Sequence, residues 1–359
     1  MAKIKVRKGM PSAQLGKDEF KKRFLTNFYD PAFETVKREL DKVAEVAWDG
    51  YKEYRKSPRT VKAGKNFSDP DYDLSIEWLD THKAVDAAER QQKSRKGSSR
   101  MLLGNGSSRS EHTCPGEMSK TWRLAKIAQH TIEKTRGFEV ELLDLSLLTS
   151  EYGRKIYPCK ACVSTAQPLC HWPCSCYPNH AIGQTSDWIN EIYPKGVAAH
   201  GVMIITPVNW YQATSPLKLM IDRLVCGDGG NADPTTTHGK DAAKAKEIEL
   251  KGWPYPRHLA GRAFSVVVHG DASGTENLRR ILTDWMEDIG MIASGHLGHI
   301  DRFIGYLEPY ATSHDDLDKD KDLQEDVRTA AQALVNAVKM LRKGELKPPD
   351  RGLHEARPK

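Results

Sequence analysis

From residue 100 onward the chain alternates short apolar runs with amphipathic stretches, and that alternation limits the fold more than any other feature. Apolar runs stand at Met101-Leu102-Leu103, 202–206 and 264–268, residues 138–145 alternate like a strand, and a fifth strand is expected within 291–307. Helical spacing follows over 119–136, near 185–193, around Leu217, Met220, Ile221 and Leu224, over 276–289 and over 322–341. Strand and helix in alternation predict an α/β fold in which a parallel five-stranded sheet carries helices on both faces. The run Val202-Met203-Ile204-Ile205-Thr206 is apolar enough to be a central strand buried on both sides.

The first run ends in Gly104 and Gly106, after which Ser107, Ser108, Ser110 and Thr113 surround Arg109 before a helix begins near Ser119. Small residues let the backbone approach an anion, hydroxyls and N–H groups donate to its oxygens, and a helix N-terminus adds partial positive charge. Arg109 adds a charge-assisted donor. The loop lacks both Gly-x-x-x-x-Gly-Lys-Ser/Thr and Gly-x-Gly-x-x-Gly, so a monophosphate fits it better than a triphosphate or dinucleotide. The plain alternative is a polar turn ahead of a helix. Two further loops leave strand ends: Pro207-Val208-Asn209-Trp210-Tyr211-Gln212-Ala213 and His269-Gly270-Asp271-Ala272-Ser273-Gly274. In open α/β sheets ligands bind at that edge, so the three loops are expected to share one site.

Residues 1–99 read as a helical extension. Phe33, Val36, Leu40, Val43, Ala44, Ala47, Tyr51 and Tyr54 recur at helical spacing, and this apolar face needs a partner, either the chain's own core or a neighbouring subunit. A second helix is expected over 72–92, then a polar hinge over 93–100. Within the main domain, 100–343, the segments 157–180 and 227–257 read as insertions, and 344–359 as a tail. The net charge of +6 comes from basic residues interleaved with acidic ones, with no stripe to engage nucleic acid. No apolar run approaches the roughly 20 residues that span a bilayer, and none follows the charged start, so a cytoplasmic protein is expected. His-Glu-x-x-His and Gly-x-Ser-x-Gly are both absent.

Gly106-Ser107-Ser108-Arg109 with Thr113, Thr206-Pro207-Val208-Asn209-Trp210 followed by Leu217-Lys218-Leu219-Met220-Ile221-Asp222-Arg223, and the segment 270–276 together resemble the flavodoxin-like NAD(P)H-dependent FMN reductases. The resemblance covers about 100–343 and implies a flavodoxin-like, doubly wound sheet that binds FMN. It implies that Ser107, Arg109 and Thr113 hold the FMN phosphate, that Pro207, Val208, Asn209, Trp210 and Tyr211 lie along the ring, and that Gly270, Asp271 and Gly274 form the far wall. Asn209 stands where relatives often carry an aromatic residue, which shifts stacking to Trp210 or Tyr211. Cys114, Pro115 and Gly116 lengthen the first loop, leaving Ser119 and Lys120 as further ligand candidates. Also implied are NADPH or NADH as donor, a small-molecule or protein acceptor, and a homodimer or homotetramer. An electron carrier without its own nicotinamide site is a second reading.

Seven cysteines include five between Cys159 and Cys176, a crowding that in a reducing compartment points to metal or redox chemistry. The placement of Cys159, Cys162, Cys170 and Cys174, with Cys176 as an alternative fourth ligand, resembles the iron–sulfur flavoproteins and implies a four-iron cluster. The third cysteine of that motif would fall near Thr165. A tetrathiolate zinc site, which would make the chain a metal-stabilised binding protein, and a set of partly buried thiols without metal are the other two readings.

Overall fold

A computed structural model describes residues 4–53, 57, 59–175, 187–253, 257–305 and 308–346. In chain order its regular elements are α1 (Lys17–Leu25), α2 (Lys37–Lys52), β1 (Thr60–Lys62), β2 (Asp73–Ser75), α3 (Ile76–Lys93), β3 (Ser99–Asn105), α4 (Lys120–Glu133) and β4 (Phe138–Asp144). There follow α5 (Leu147–Ser150), α6 (Ile189–Ala198), β5 (Gly201–Pro207), α7 (Ser215–Arg223), α8 (Ala242–Lys251), β6 (Ala263–Gly270), α9 (Thr275–Asp288), β7 (Ile292–Ala293), β8 (His299–Phe303), α10 (Ser313–Lys319) and α11 (Lys321–Lys343). The chain divides into two compact units, one of residues 1–82, 159–187 and 231–254, the other of 83–158, 188–230 and 255–359.

The second unit holds the sheet, with strand order β4-β3-β5-β6-β7 and β8 also on β6, all neighbours parallel. β7 and β8 share one edge: β7 pairs with Ala263 and Phe264, β8 with Val266 through Gly270, and a 3-10 turn at His296–Gly298 separates them. The fifth strand expected within 291–307 is therefore two short pieces. The order is that of the flavodoxin-like doubly wound sheet, whose direction of winding reverses between β3 and β5. On one face Met101, Leu103, Met203, Ile205, Ala263 and Val267 pack with Leu124, Ala128 and Ile132 of α4 and with Val327, Leu334 and Val338 of α11. On the other, Leu102, Val202 and Ile204 meet Ile192, Met220, Met286 and Ile289 around a wholly apolar void of about 40 Å³.

The helices start where their caps dictate. The Ser119 side chain accepts from Trp122 N–H at 3.1 Å at the head of α4, and Thr214, with Pro216 in the first turn, caps α7.

The first unit is assembled from three separated segments. Ser68 N–H donates to Asp233 at 2.8 Å, Asp69 N–H to Thr235 Oγ1 at 3.0 Å, and Trp78 Nε1 to the Pro173 carbonyl at 2.8 Å. The extension thus packs with both insertions, and the unit ends within α3. In α2 the buried positions are Ala44, Ala47 and Gly50, while Phe33, Val36 and Val43 are exposed. α1 is only nine residues long, and its Phe20 meets Trp48 and Tyr51, so it covers the last turns of α2. Tyr54 lies outside the described residues.

Leu103 is fully buried at the centre of the sheet's helix-packed face. Leu103→Ala is expected to lower unfolding stability by about 2–5 kcal/mol, read from the urea midpoint with the denaturant slope unchanged.

Candidate functional site

The loop from β3 to α4 leaves the sheet through a contact that only glycine permits. A Cβ on Gly106 would lie 2.6 Å from Thr206 Oγ1 and 2.7 Å from Thr206 Cβ. Gly106 N–H donates to the Ile205 carbonyl at 2.8 Å, and its own carbonyl accepts from Thr214 Oγ1. Beyond it the loop folds on itself. Ser107 N–H donates to Asn105 Oδ1 at 3.2 Å, Arg109 N–H to Ser107 Oγ at 3.0 Å, and Thr113 Oγ1 to the Ser110 carbonyl at 2.7 Å. Arg109 Nη2 reaches the Pro115 carbonyl at 2.8 Å, which braces the guanidinium against its own loop.

Next to this loop is a cleft of about 480 Å³. Ser107, Ser108 and Arg109 line one part together with Ser119, Lys120 and Thr121 at the N-terminus of α4. The remainder is lined by Pro207, Val208 and Asn209, by His269, Gly270 and Asp271, and by Glu117, Met118, Tyr310, Ser313 and His314. The second and third loops are locked together, because Val208 N–H donates to the His269 carbonyl at 2.9 Å and a Cβ on Gly270 would come within 2.6 Å of Val208 Cγ1. A smaller hollow of about 120 Å³, lined by Asn105, Asp144, Trp122 and His112, shares Arg109.

Of the residues expected from sequence, Ser107, Arg109, Pro207, Val208, Asn209, Gly270 and Asp271 line the one cleft. Thr113, Trp210, Tyr211 and Gly274 are not among its lining residues. The Thr113 hydroxyl is engaged in closing its own loop. Trp210 and Tyr211 occupy the tip of a two-residue turn in which Asn209 and Gln212 exchange backbone hydrogen bonds at 3.0 and 2.9 Å. Both tip residues have positive φ, 48° and 66°, and the pair is 92% and 60% exposed. Such a turn ordinarily takes Asn-Gly, and a left-handed residue with a side chain costs roughly 1–2 kcal/mol. Gly274, at φ 106°, fits against Tyr211: a Cβ there would stand 2.9 Å from Tyr211 Cα.

The C-terminal wall has no signature in the sequence. Tyr310, Ser313 and His314 come from the turn and short helix after the last strand and follow no ligand spacing. The structure joins them to the cradle: Lys120 Nζ donates to Ser313 Oγ at 2.8 Å, Arg123 Nη1 to the His314 carbonyl at 3.1 Å, and His314 Nε2 lies 3.7 Å from Glu117.

His269 is 2% exposed, with Nε2 2.8 Å from Thr121 Oγ1 and no partner for Nδ1 among the described residues. Burial, reinforced by the Lys120 charge, pushes its pKa from 6.5 down to about 3, so the ring is neutral at physiological pH.

Cys159, Cys162, Cys170 and Cys174 lie among the described residues, the first two and Cys174 half-buried and Cys170 buried. Among the described residues no group of three or more His, Cys, Asp or Glu side chains is placed to hold an ion. Cys176 lies outside those residues. Nor is any helix among them long and apolar enough to cross a membrane.

The fold is that of a doubly wound, flavodoxin-like α/β protein, with the cleft at the point where the sheet reverses direction. The family model for NADPH-dependent FMN reductase matches residues 100–298, more than half of the chain, and the chain belongs to that family. No curated protein matches it. Among solved structures, RosB with a bound 8-demethyl-8-formylriboflavin-5'-phosphate intermediate is 14% identical over 70% of this chain and 82% of its own, with a TM-score of 0.46. An oxidoreductase from Corynebacterium diphtheriae is 11% identical over 67% and 99%, TM-score 0.37. The apo form of the NADH:FMN oxidoreductase EMOB is 14% identical over 70% and 93%, TM-score 0.36.

Stability should depend on pH through the buried imidazoles. The folded pKa of His269 is below the unfolded value, and that of His200 is lowered from 6.5 to about 4, chiefly by burial. The unfolded chain therefore takes up protons first as pH falls. Their contribution is complete above about pH 6.5 and is lost as pH drops toward 4 and then 3, at about 1.4 kcal/mol per unit for His269. Urea unfolding across this window should show the decline, and His269→Gln should flatten it by about that slope.

Proposed function

We propose that this chain binds FMN in the cleft and, as an NADPH- or NADH-dependent oxidoreductase, passes electrons from the nicotinamide to a second substrate. The observation that carries the proposal is the convergence of Ser107, Arg109, Lys120 and the α4 N-terminus on one part of a cleft whose other part is bounded by Pro207, Val208, Asn209, Gly270 and Asp271. This set suits a flat ring with a phosphate on a flexible chain. Hydroxyls, a guanidinium, an ammonium and a helix N-terminus meet the anion. Of the first-turn donors, the N–H of Trp122 is taken by Ser119 Oγ and that of Arg123 by the Ser119 carbonyl, which leaves Lys120 and Thr121 to face an anion. The tight approaches at Gly106 and Gly270 bring backbone, not side chain, to the walls.

FMN held there would supply the redox chemistry, the transfer of electrons between a reduced nicotinamide and an acceptor. The chain's own task is to bind and orient. Lys120, held by Ser313, keeps a positive charge beside the phosphate loop. His269, neutral and buried, contributes a hydrogen-bonding ring without a second charge. The aromatic pair Trp210 and Tyr211, exposed on its strained turn, offers a surface on which another planar molecule stacks, consistent with acceptors such as quinones, nitroaromatics or azo dyes. Assembly into a homodimer or homotetramer belongs to the same reading.

Two measurements test it. Arg109→Ala should weaken FMN binding by about 10- to 100-fold in a fluorescence titration, the range for a charged hydrogen bond to phosphate; an unchanged Kd takes Arg109 out of the phosphate site. In anaerobic stopped-flow mixing, NADPH or NADH should bleach the flavin of the FMN-loaded protein directly. Bleaching by a chemical reductant but by neither nucleotide would make the chain an electron carrier instead.

A further inference from the structure

The first unit contains a second arrangement with chemical character, at Cys159-Lys160-Ala161-Cys162. Both cysteines are half-buried, whereas Cys170 and Cys226 are buried. The Ala161 N–H donates to Cys159 Sγ at 3.3 Å, which lays that sulfur over the peptide leading to Cys162. Ala161 has a left-handed backbone, φ 49°, an unfavourable conformation for a residue with a side chain, and there the chain turns into the 3-10 turn Cys162–Ser164. Lys240, which the chain delivers from the other insertion, places its ammonium 3.6 Å from Cys162 Sγ while donating to the Leu169 carbonyl at 3.0 Å. Two sulfurs three residues apart, each with a hydrogen-bond donor aimed at it, differ from a metal centre, where three or four thiolates converge. They do meet the needs of thiol–disulfide exchange, in which negative charge on sulfur must be stabilised while a sulfur–sulfur bond forms or breaks.

We propose that Cys159 and Cys162 form a redox-active dithiol, a second two-electron centre in the chain, which closes to an intramolecular disulfide by exchange with low-molecular-weight disulfides. In the first step the sulfur of Cys162 attacks one sulfur of R–S–S–R, forming a mixed disulfide and expelling one thiolate. In the second the sulfur of Cys159 attacks Cys162 Sγ, closing the 159–162 bond and expelling the other thiolate. The two cysteines lose two electrons and two protons, and R–S–S–R becomes two R–SH. The inference stands independently of flavin binding.

The test equilibrates the full-length protein with glutathione and glutathione disulfide in a series of ratios. Samples are quenched in acid, alkylated with a maleimide and weighed by mass spectrometry, with iron and zinc assayed on the same preparation. The expected result is a single transition in which two alkylation sites disappear together, retained in Cys170→Ser and Cys174→Ser. In Cys159→Ser and Cys162→Ser that two-site transition should be absent, the remaining cysteine going no further than one glutathione adduct. Three results would overturn the proposal: a transition that requires Cys170 or Cys174, no change in alkylation at any ratio, or stoichiometric metal with the cysteines protected at both extremes.

Discussion

The site depends on the close approach of two strands at the reversal point of the sheet. β3 and β5 run side by side, and where they part, Gly106 lies against Thr206 with no room for a Cβ. The hydrogen bonds of Gly106 to Ile205 and from Thr214 then tie the start of the first loop to the end of the second. Because Thr214 also caps α7, one hydroxyl couples the anion loop to the helix that follows the ring loop. A side chain at 106 would push the strands apart and misplace Ser107 and Pro207 together. The loop after β3 and the loop after β5 are therefore a single structural feature.

That feature is held rigid by what lies beneath it. The central strands β3, β5 and β6 are largely buried on both faces, so they cannot slip in register without exposing core. Polar side chains at the sheet's upper edge bond to neighbouring loops and helices. Asn105 is 1% exposed, yet its Nδ2 donates to Asp144 at 2.8 Å and its Oδ1 accepts from Ser107 N–H, so an amide at the end of β3 ties the tip of β4 to the loop. His269 serves likewise at the tip of β6, bonded to Thr121 on α4. Buried polar side chains thus clamp the top of the sheet, and each brings a cost in desolvation that its hydrogen bonds offset only when the loops are correctly seated.

The central strands were legible in the sequence because parallel strands buried on both faces are written as continuous apolar runs, and 202–206 and 264–268 lie within a few residues of β5 and β6, while the edge strand β4 was legible by its alternation over 138–145. The place of Ser107 and Arg109 on the cleft was legible for a related reason: small residues and hydroxyls gathered in one short stretch after a strand mark a loop at the sheet's edge. Tyr310, Ser313 and His314 were not, since they reach the cleft through tertiary packing of a turn beyond the last strand. Nor was the role of Thr113, whose hydroxyl suits an anion as well as it suits Ser110. The left-handed turn at Trp210 and Tyr211 runs against local preference, and sequence rules based on preference pass over such positions.

The first unit escaped reading for a deeper reason. Its three segments are far apart in sequence, and the described parts of 159–187 and 231–254 contact the N-terminal extension. Asp233 and Thr235 receive the backbone of Ser68 and Asp69, Trp78 reaches Pro173, Trp172 stacks on His82 with ring centres 4.8 Å apart, and Lys246 donates to the Lys5 carbonyl. Every one of these contacts closes a loop of about a hundred residues or more, and loop closure must be met before such contacts return any stability. In the second unit β3, α4 and β4 are consecutive and pack on one another, and the pairing of β3 with β5 and the packing of α4 on α11 add contacts between segments far apart in sequence.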